Sequence, residues 1–182
     1  MKARIYITGL LLFLLGCAKD PGSTIKLPAE DLAYKIHPSN TSYPIKKALL
    51  NELPATIQSF YENRGNTTLW TDEGNRKAFI TAIKNAESDG LDTKDYDYRK
   101  LTRLEGNKAL TKKECMAYDI LLTESFFKLA NHLFKGKITA SSIYPDWALQ
   151  QKKLDAGILL HEAFNKHNIV QVLNRCRPPH AV

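Results

Sequence analysis

Thr111–Gly136, TKKECMAYDILLTESFFKLANHLFKG, is the stretch that decides the fold. Thr111 and Glu114 stand at the T-x-x-E spacing of a capping box, in which each side chain satisfies a backbone N–H that the first turn of a helix leaves unpaired. Roughly six turns or more then run without a proline, and Gly136 offers a stop. The spacing predicts a helix over about 112–135. Cys115, Tyr118, Leu122, Phe126, Leu129 and Leu133 trace one apolar stripe along it, and Met116, Ile120, Phe127, Ala130 and Phe134 trace a second. A helix that is apolar on two sides packs on both, so this one belongs at the centre of its domain.

Helical signals continue in both directions. In TDEGNRKAFITAIKNAESDGL (71–91), Thr71 or Asp72 can act as N-cap, and Asp72 and Glu73 complement the positive end of the helix dipole. Phe79, Ala82, Ile83 and Ala86 share one face, and Gly90 can adopt the left-handed conformation that closes the helix. Asp92 caps a shorter amphipathic piece, DTKDYDYRKL, with Tyr96 and Leu101 as core candidates. Further upstream, Pro54 divides the apolar pattern of Ala48, Leu49, Ile57, Phe60 and Tyr61 into a short helix and a second one beginning at Pro54 and ending at Gly65. Downstream, the irregular stretch ITASSIYPDWALQQKK (138–153) leads to a helix from about Leu154 to Asn165 and a short one over Ile169–Leu173. Sustained period-two alternation is absent. The expected class is mainly α, a compact bundle of about six helices around one long central helix.

The N-terminus has a different character. In MKARIYITGLLLFLLGCAKD, Lys2 and Arg4 precede an apolar run from Ile5 to Leu15 that is too short for a helix of about 20 residues to span a bilayer. Residues 1–16 read as a secretory signal, and Leu14-Leu15-Gly16-Cys17 resembles the lipobox of bacterial lipoproteins. That resemblance implies acylation of Cys17, with each buried methylene contributing about 0.8 kcal/mol to anchoring on the membrane. The competing readings are an ordinary signal peptide with an incidental cysteine and a short uncleaved anchor. Residues 17–44 are polar and broken by Pro21, Pro28, Pro38 and Pro44, as in a tether, and the globular part is expected over 45–182. Ala18 is not the acidic residue that holds some lipoproteins at the inner membrane, so the expected place is the cell envelope, on the outer rather than the inner membrane.

Removing the signal takes Lys2 and Arg4 from 26 basic residues and none of the 19 acidic ones, which leaves 24 against 19, a net charge of +5. The basic residues fall in scattered pairs such as Lys46-Lys47, Lys112-Lys113 and Lys152-Lys153 with no interleaved aromatic stripe, a poor match to nucleic-acid binding. No CxxC or HExxH occurs, and His37, His132, His161, His167 and His180 are dispersed, so neither a metal nor a cofactor is expected. Asp92, Asp95 and Asp97 cluster, but counted from Asp92 as a calcium loop they put Asp97 where a Gly is required and Arg103 where a Glu is required. Capping and solvated charge explain them better.

Catalytic candidates are few. Glu124 fits a polar stripe or an ion pair better than a buried acid, and His132 and His161 lack a recognisable nucleophile motif beside them. Cys115 reads as a small buried hydrophobe rather than half of a disulfide with Cys176. Arg175 and Arg177 would draw the Cys176 thiol toward thiolate, yet Pro178 and Pro179 come next at a frayed terminus, where no base is held for it. No catalytic residue is expected in this chain.

The stretch FYENRGNTTLWTDEGNRKAFITAIKNAESDGLDTKDY (60–96) resembles the scaffold-domain signature of large bacterial L,D-transpeptidases. The residues that carry the resemblance are Phe60-Tyr61, Arg64-Gly65, Trp70, Asp89-Gly90-Leu91-Asp92 and Tyr96. The helix 118–138 is similar to the next helix of that domain through Asp119, Leu122, Thr123, Gly136, Lys137 and Ile138, and VLNRCRPPHAV (172–182) to its closing boundary through Leu173, Pro178 and Pro179. The resemblance covers about residues 45–182. It implies a helical domain supporting a separate catalytic domain that cross-links peptidoglycan stem peptides through a cysteine acyl-enzyme. That domain's S-x-G-C motif and its histidine are not in this chain. The resemblance thus implies a non-catalytic, membrane-tethered scaffold, either a truncated or split gene product or a natural stand-alone form. Its implied partners are the lipid membrane through acylated Cys17, peptidoglycan, and an L,D-transpeptidase catalytic domain. The signature residues are expected to serve turns and packing with no polar constellation around them. The main alternative is a stand-alone envelope lipoprotein that binds wall peptides or a partner enzyme; a hydrolase using His132 or His161 is a third.

Overall fold

The computed structural model describes residues 41–137 and 153–178, and the starts of three of its longer helices are capped by side chains. Thr111 and Glu114 form the complete box: the Thr111 hydroxyl accepts from the Glu114 N–H at 3.2 Å, and the Glu114 carboxylate accepts from the Thr111 N–H at 2.7 Å. Asp72, rather than Thr71, caps its helix by accepting from the Asn75 N–H at 2.6 Å. Asp155 caps another through the Gly157 and Ile158 N–H groups. Among the described residues there are seven α-helices: α1 (Lys47–Leu50), α2 (Ala55–Glu62), α3 (Glu73–Asn85), α4 (Tyr98–Gly106), α5 (Lys112–Lys135), α6 (Ala156–Asn165) and α7 (Ile169–Asn174). Two 3-10 turns, Ala86–Asp89 and Thr93–Tyr96, link α3 to α4.

The fold is the mainly α bundle that the sequence predicts, with α5 as its long central helix. The first stripe of α5 is buried throughout; of the second, Met116, Ile120 and Ala130 are buried and Phe127 and Phe134 half-buried. α3 packs on α4, α5 and α7, and α5 also packs on α4 and α6. Phe79, Leu122, Phe126, Leu160 and Leu173 share the main core, and a smaller cluster of Ile45, Leu50, Ile57, Tyr61, Met116 and Ile120 closes the α1 and α2 side. Fully burying one such aliphatic or aromatic side chain contributes about 2 kcal/mol. Tyr43 and Thr68 run antiparallel beside the Pro44–Thr67 bridge, with the Thr68 N–H donating to the Tyr43 carbonyl at 2.9 Å.

Several boundaries differ from the sequence reading: α3 ends at Asn85 and passes into a 3-10 turn before Gly90, and α6 begins at Ala156, after its Asp155 cap, rather than at about Leu154. Pro54 is the N-cap of α2, not its first helical residue, and its carbonyl accepts from Ile57 and Gln58. The piece DTKDYDYRKL is not one helix: Asp97 sits at φ 53°, which ends the 3-10 turn and restarts the chain as α4, and α4 continues to Gly106. Tyr96 and Leu101 are nonetheless both fully buried. The leader at 1–16, Cys17, the tether to residue 40, Ile138, Pro179 and the stretch up to residue 152 lie outside the described residues. Among the described residues no helix is long and apolar enough to cross a membrane.

Gly90 closes the 3-10 turn at φ 74°, with open space where a side chain would stand. Gly90→Ala is therefore strained by backbone conformation alone, at about 1 kcal/mol. Thermal melting of the variant should show a fall of about 3 °C; an unchanged midpoint would mean that the turn tolerates a Cβ.

Candidate functional site

The two rows of α5 each contain one polar interruption. Asp119 occupies the step between Cys115 and Leu122 in the first row, and Thr123 the step between Ile120 and Phe127 in the second, so helical geometry carries both side chains inward. α2 supplies Tyr61 from one side, and the loop after it supplies Leu69 and Trp70. The Asp119 Oδ1 accepts from the Tyr61 hydroxyl at 2.7 Å, while Oδ2 accepts from the Leu69 and Trp70 N–H groups at 2.7 and 2.6 Å. The Thr123 hydroxyl lies 2.8 Å from that of Tyr61 and accepts from the Trp70 indole N–H at 3.0 Å. Tyr61, Trp70, Asp119 and Thr123 are all buried, so the hub is closed to solvent.

The hub extends through the backbone of Trp70. Its carbonyl accepts from Arg76 Nη1 at 2.8 Å, and Arg76 Nε donates to Glu105 Oε2, also at 2.8 Å. The same Glu105 oxygen accepts from the Tyr118 hydroxyl at 2.7 Å. Arg76 is fully buried, so α2, α3, α4 and α5 are joined by one chain of hydrogen bonds around a charged pair. The Trp70 ring stands beside Phe79, Phe126 and Phe164, at centroid distances of 5.2, 6.4 and 4.9 Å.

Burial pushes the Asp119 carboxyl up to about 6, against the opposing pull of the Tyr61, Trp70 and Leu69 donors. Burial and the neighbouring carboxylate likewise raise the Tyr61 hydroxyl well above its ordinary value. A carboxylate engaged by three structural donors and buried away from solvent is out of reach of any substrate whose proton it could draw. The arrangement is a clamp.

The other signature residues fall around this hub. Phe60 is half-buried and meets Phe127 edge to face at 5.5 Å, with the Arg64 guanidinium 5.8 Å from its ring centre. Gly65 adopts φ 71° at the turn after α2, and Gly136 φ 82° after α5. Asp89 receives Arg177 in a forked pair at 2.9 and 2.7 Å, tying the segment after α7 to the turn at Gly90. Leu91 is buried, and Asp92 accepts from the Lys94 N–H at 2.9 Å. Tyr96 contacts His132 Nδ1 through its hydroxyl at 2.8 Å. The expectation of turns and packing with no polar constellation is thus corrected for Tyr61, Trp70, Asp119 and Thr123, which form one. Their signal was in the sequence, as polar residues standing in apolar rows, and Arg76 repeats it on the row Arg76, Ile80, Ile83 of α3.

The isolated candidates remain apart. His132 faces Tyr96, and His161 Nδ1 lies 3.1 Å from Asn165 Nδ2. Glu124 is half-buried, and burial followed by the Asp97 charge raises its carboxyl. Cys176 is not on a frayed end: it is buried, its N–H donates to the Leu173 carbonyl at 3.0 Å, and burial lifts its thiol despite Arg175 and Arg177. Cys115 is also buried and outside any disulfide, its thiol pushed up to about 11 by desolvation. In a Cys17→Ser background, a disulfide-exchange reagent should label these two thiols about a hundredfold more slowly in native protein than in denaturant. Fast native labelling of Cys176 would contradict its placement. Among the described residues no three His, Cys, Asp or Glu side chains converge as a metal site.

No curated protein and no solved structure matches the chain. A family model described as Scaffold domain matches residues 55–182, from the start of α2 onward, and so takes in the whole Tyr61–Trp70–Asp119–Thr123 hub. The chain therefore belongs to the Scaffold domain family.

Proposed function

We propose that this protein is the helical support module of an L,D-transpeptidase-type wall enzyme, held in the bacterial envelope by a lipid on Cys17 and non-catalytic by itself. The observation that carries the reading is the Scaffold domain match over 55–182, which coincides with the stretch whose signature is similar to that enzyme class. Support also comes from the hub, where the buried carboxylate and hydroxyls hold helices together and none is presented to a substrate. Such a module acts by mass action on a partner: a rigid surface that binds the folded catalytic domain stabilises it.

The test is reconstitution. The full chain in mild detergent is mixed with a separately purified L,D-transpeptidase catalytic domain. Co-elution and a raised melting temperature of the catalytic domain are expected, whereas independent elution with unchanged melting would count against the support role. The anchor is tested separately, since a Cys17→Ser form that still partitions with membranes after signal removal would refute lipidation.

A further inference from the structure

Asp119 lies at the centre of the hub with 4% of its surface exposed, and among the described residues it takes part in no ion pair. Buried charges are ordinarily paired or neutralised. Tyr61 and Arg64 act on it from the α2 side, Tyr43, Cys115 and Tyr118 share a small cavity with it, and the Arg76–Glu105 pair of α3 and α4 stands beyond Trp70, joined to it through the Trp70 carbonyl. Of these charges Arg64 attracts the carboxylate, and its pull is weaker than that of any of the three hydrogen bonds.

The two carboxyl oxygens differ in what they meet. Oδ2 accepts from two backbone N–H groups, which are fixed, whereas Oδ1 meets a hydroxyl, which can turn. With Asp119 ionised, Tyr61 donates to Oδ1 across 2.7 Å, and Thr123 donates to the Tyr61 oxygen across 2.8 Å. With a proton on Oδ1 the same contacts run the other way: Oδ1–H donates to Tyr61, and Tyr61 donates to Thr123. The Thr123 proton then turns to the Asp119 carbonyl one helical turn back, an ordinary partner of a threonine in a helix. Two hydroxyl rotations thus admit a proton from water while every donor keeps an acceptor.

We propose that Asp119 is a proton-binding site built into the fold, and that the bundle takes up one proton there in mild acid and is more stable for it. Burial pushes the carboxyl up to about 6 from an ordinary 3.8, in spite of its three donors. A carboxyl raised by folding contributes its stability in full below the ordinary value and loses it as the pH climbs through the folded one. The exposed acids run the opposite way: Glu162, held down to about 2 by Arg175 and Lys166, and Glu114 and Asp95, also lowered by their partners, fail only in stronger acid. His132, lowered by burial, opposes Asp119 within the same range. Nothing in this device depends on the partner that the module supports.

Urea unfolding of the full chain in mild detergent, wild type beside Asp119→Asn, tests the proposal. Asparagine keeps the shape of the neutral acid and does not titrate, while both proteins carry the same histidines and exposed carboxylates. From about pH 7 to about pH 5 the unfolding constant of the wild type should fall about tenfold relative to that of the variant. An unchanged ratio, or one that moves the other way, would overturn the proposal. A second measurement needs no variant: the Asp119 carboxyl carbon, followed by NMR in wild-type protein made with 13C-carboxyl aspartate, should titrate at about pH 6. Titration at the ordinary 3.8, or a carboxylate that stays ionised until the protein unfolds, would equally overturn it.

Discussion

Asp119→Ala loses about 4 kcal/mol of stability, read as a fall of about 12 °C in the melting temperature. The lost carboxyl volume is the smaller part. The larger part is the Leu69 and Trp70 N–H groups, which are buried and donate to Asp119 Oδ2 at 2.7 and 2.6 Å. Without that oxygen two buried donors face an apolar space, at about 1–3 kcal/mol each. Asp119→Asn separates the two contributions. An amide keeps the size and one carbonyl oxygen for the Leu69 and Trp70 donors, and the Tyr61 hydroxyl can rotate to accept from its NH2 while staying near Thr123. Its loss should be about 1–2 kcal/mol. If Asn and Ala prove equally damaging, the charge of the carboxylate matters more than the pattern of acceptors; if both are neutral, the clamp is not formed.

The second large effect belongs to Arg76→Met, at about 3–5 kcal/mol. Methionine refills most of the space occupied by a fully buried arginine. It cannot replace the positive charge beside Glu105, nor the donor to the Trp70 carbonyl. Glu105 keeps the Tyr118 hydroxyl but becomes an uncompensated charge with its side chain 9% exposed. Removing that charge as well, in Arg76→Met with Glu105→Leu, should restore a large share of the loss, because two apolar residues in a well-packed site do without ion pairing. Chemical denaturation of the two single variants and the double variant completes the cycle. A double variant as unstable as the sum of the singles would show that Arg76 and Glu105 act independently.

The fold was legible because its signals are local. The Thr111–Glu114 box and the glycine at 136 delimit α5 within a residue, and the two apolar rows foretell its central place. Asp97 was missed because a non-glycine residue at positive φ leaves little trace in a polar run such as DTKDYDY. The hub was half legible. Asp119, Thr123 and Arg76 stand where apolar residues keep the helical period, and a polar residue in such a slot is either satisfied or ruinous. What the sequence could not supply is the set of partners, since Tyr61 and Asp119 are 58 residues apart and the Trp70 and Asp119 bond spans 49. Long-range pairing of that kind depends on how α2 and the loop after it lie against α5, and no periodicity encodes it.

A clamp that consumes its own carboxylate and hydroxyls in holding helices together contributes rigidity, and rigidity is what a supporting module supplies. The most direct measurement is muropeptide analysis after the full chain is incubated with wall tetrapeptide donors, alone and with an added L,D-transpeptidase catalytic domain. A supporting, non-catalytic role predicts no cross-linked product from the chain alone and a higher yield from the mixture than from the catalytic domain by itself. Cross-linked dimers formed by the chain with no other polypeptide present would contradict it.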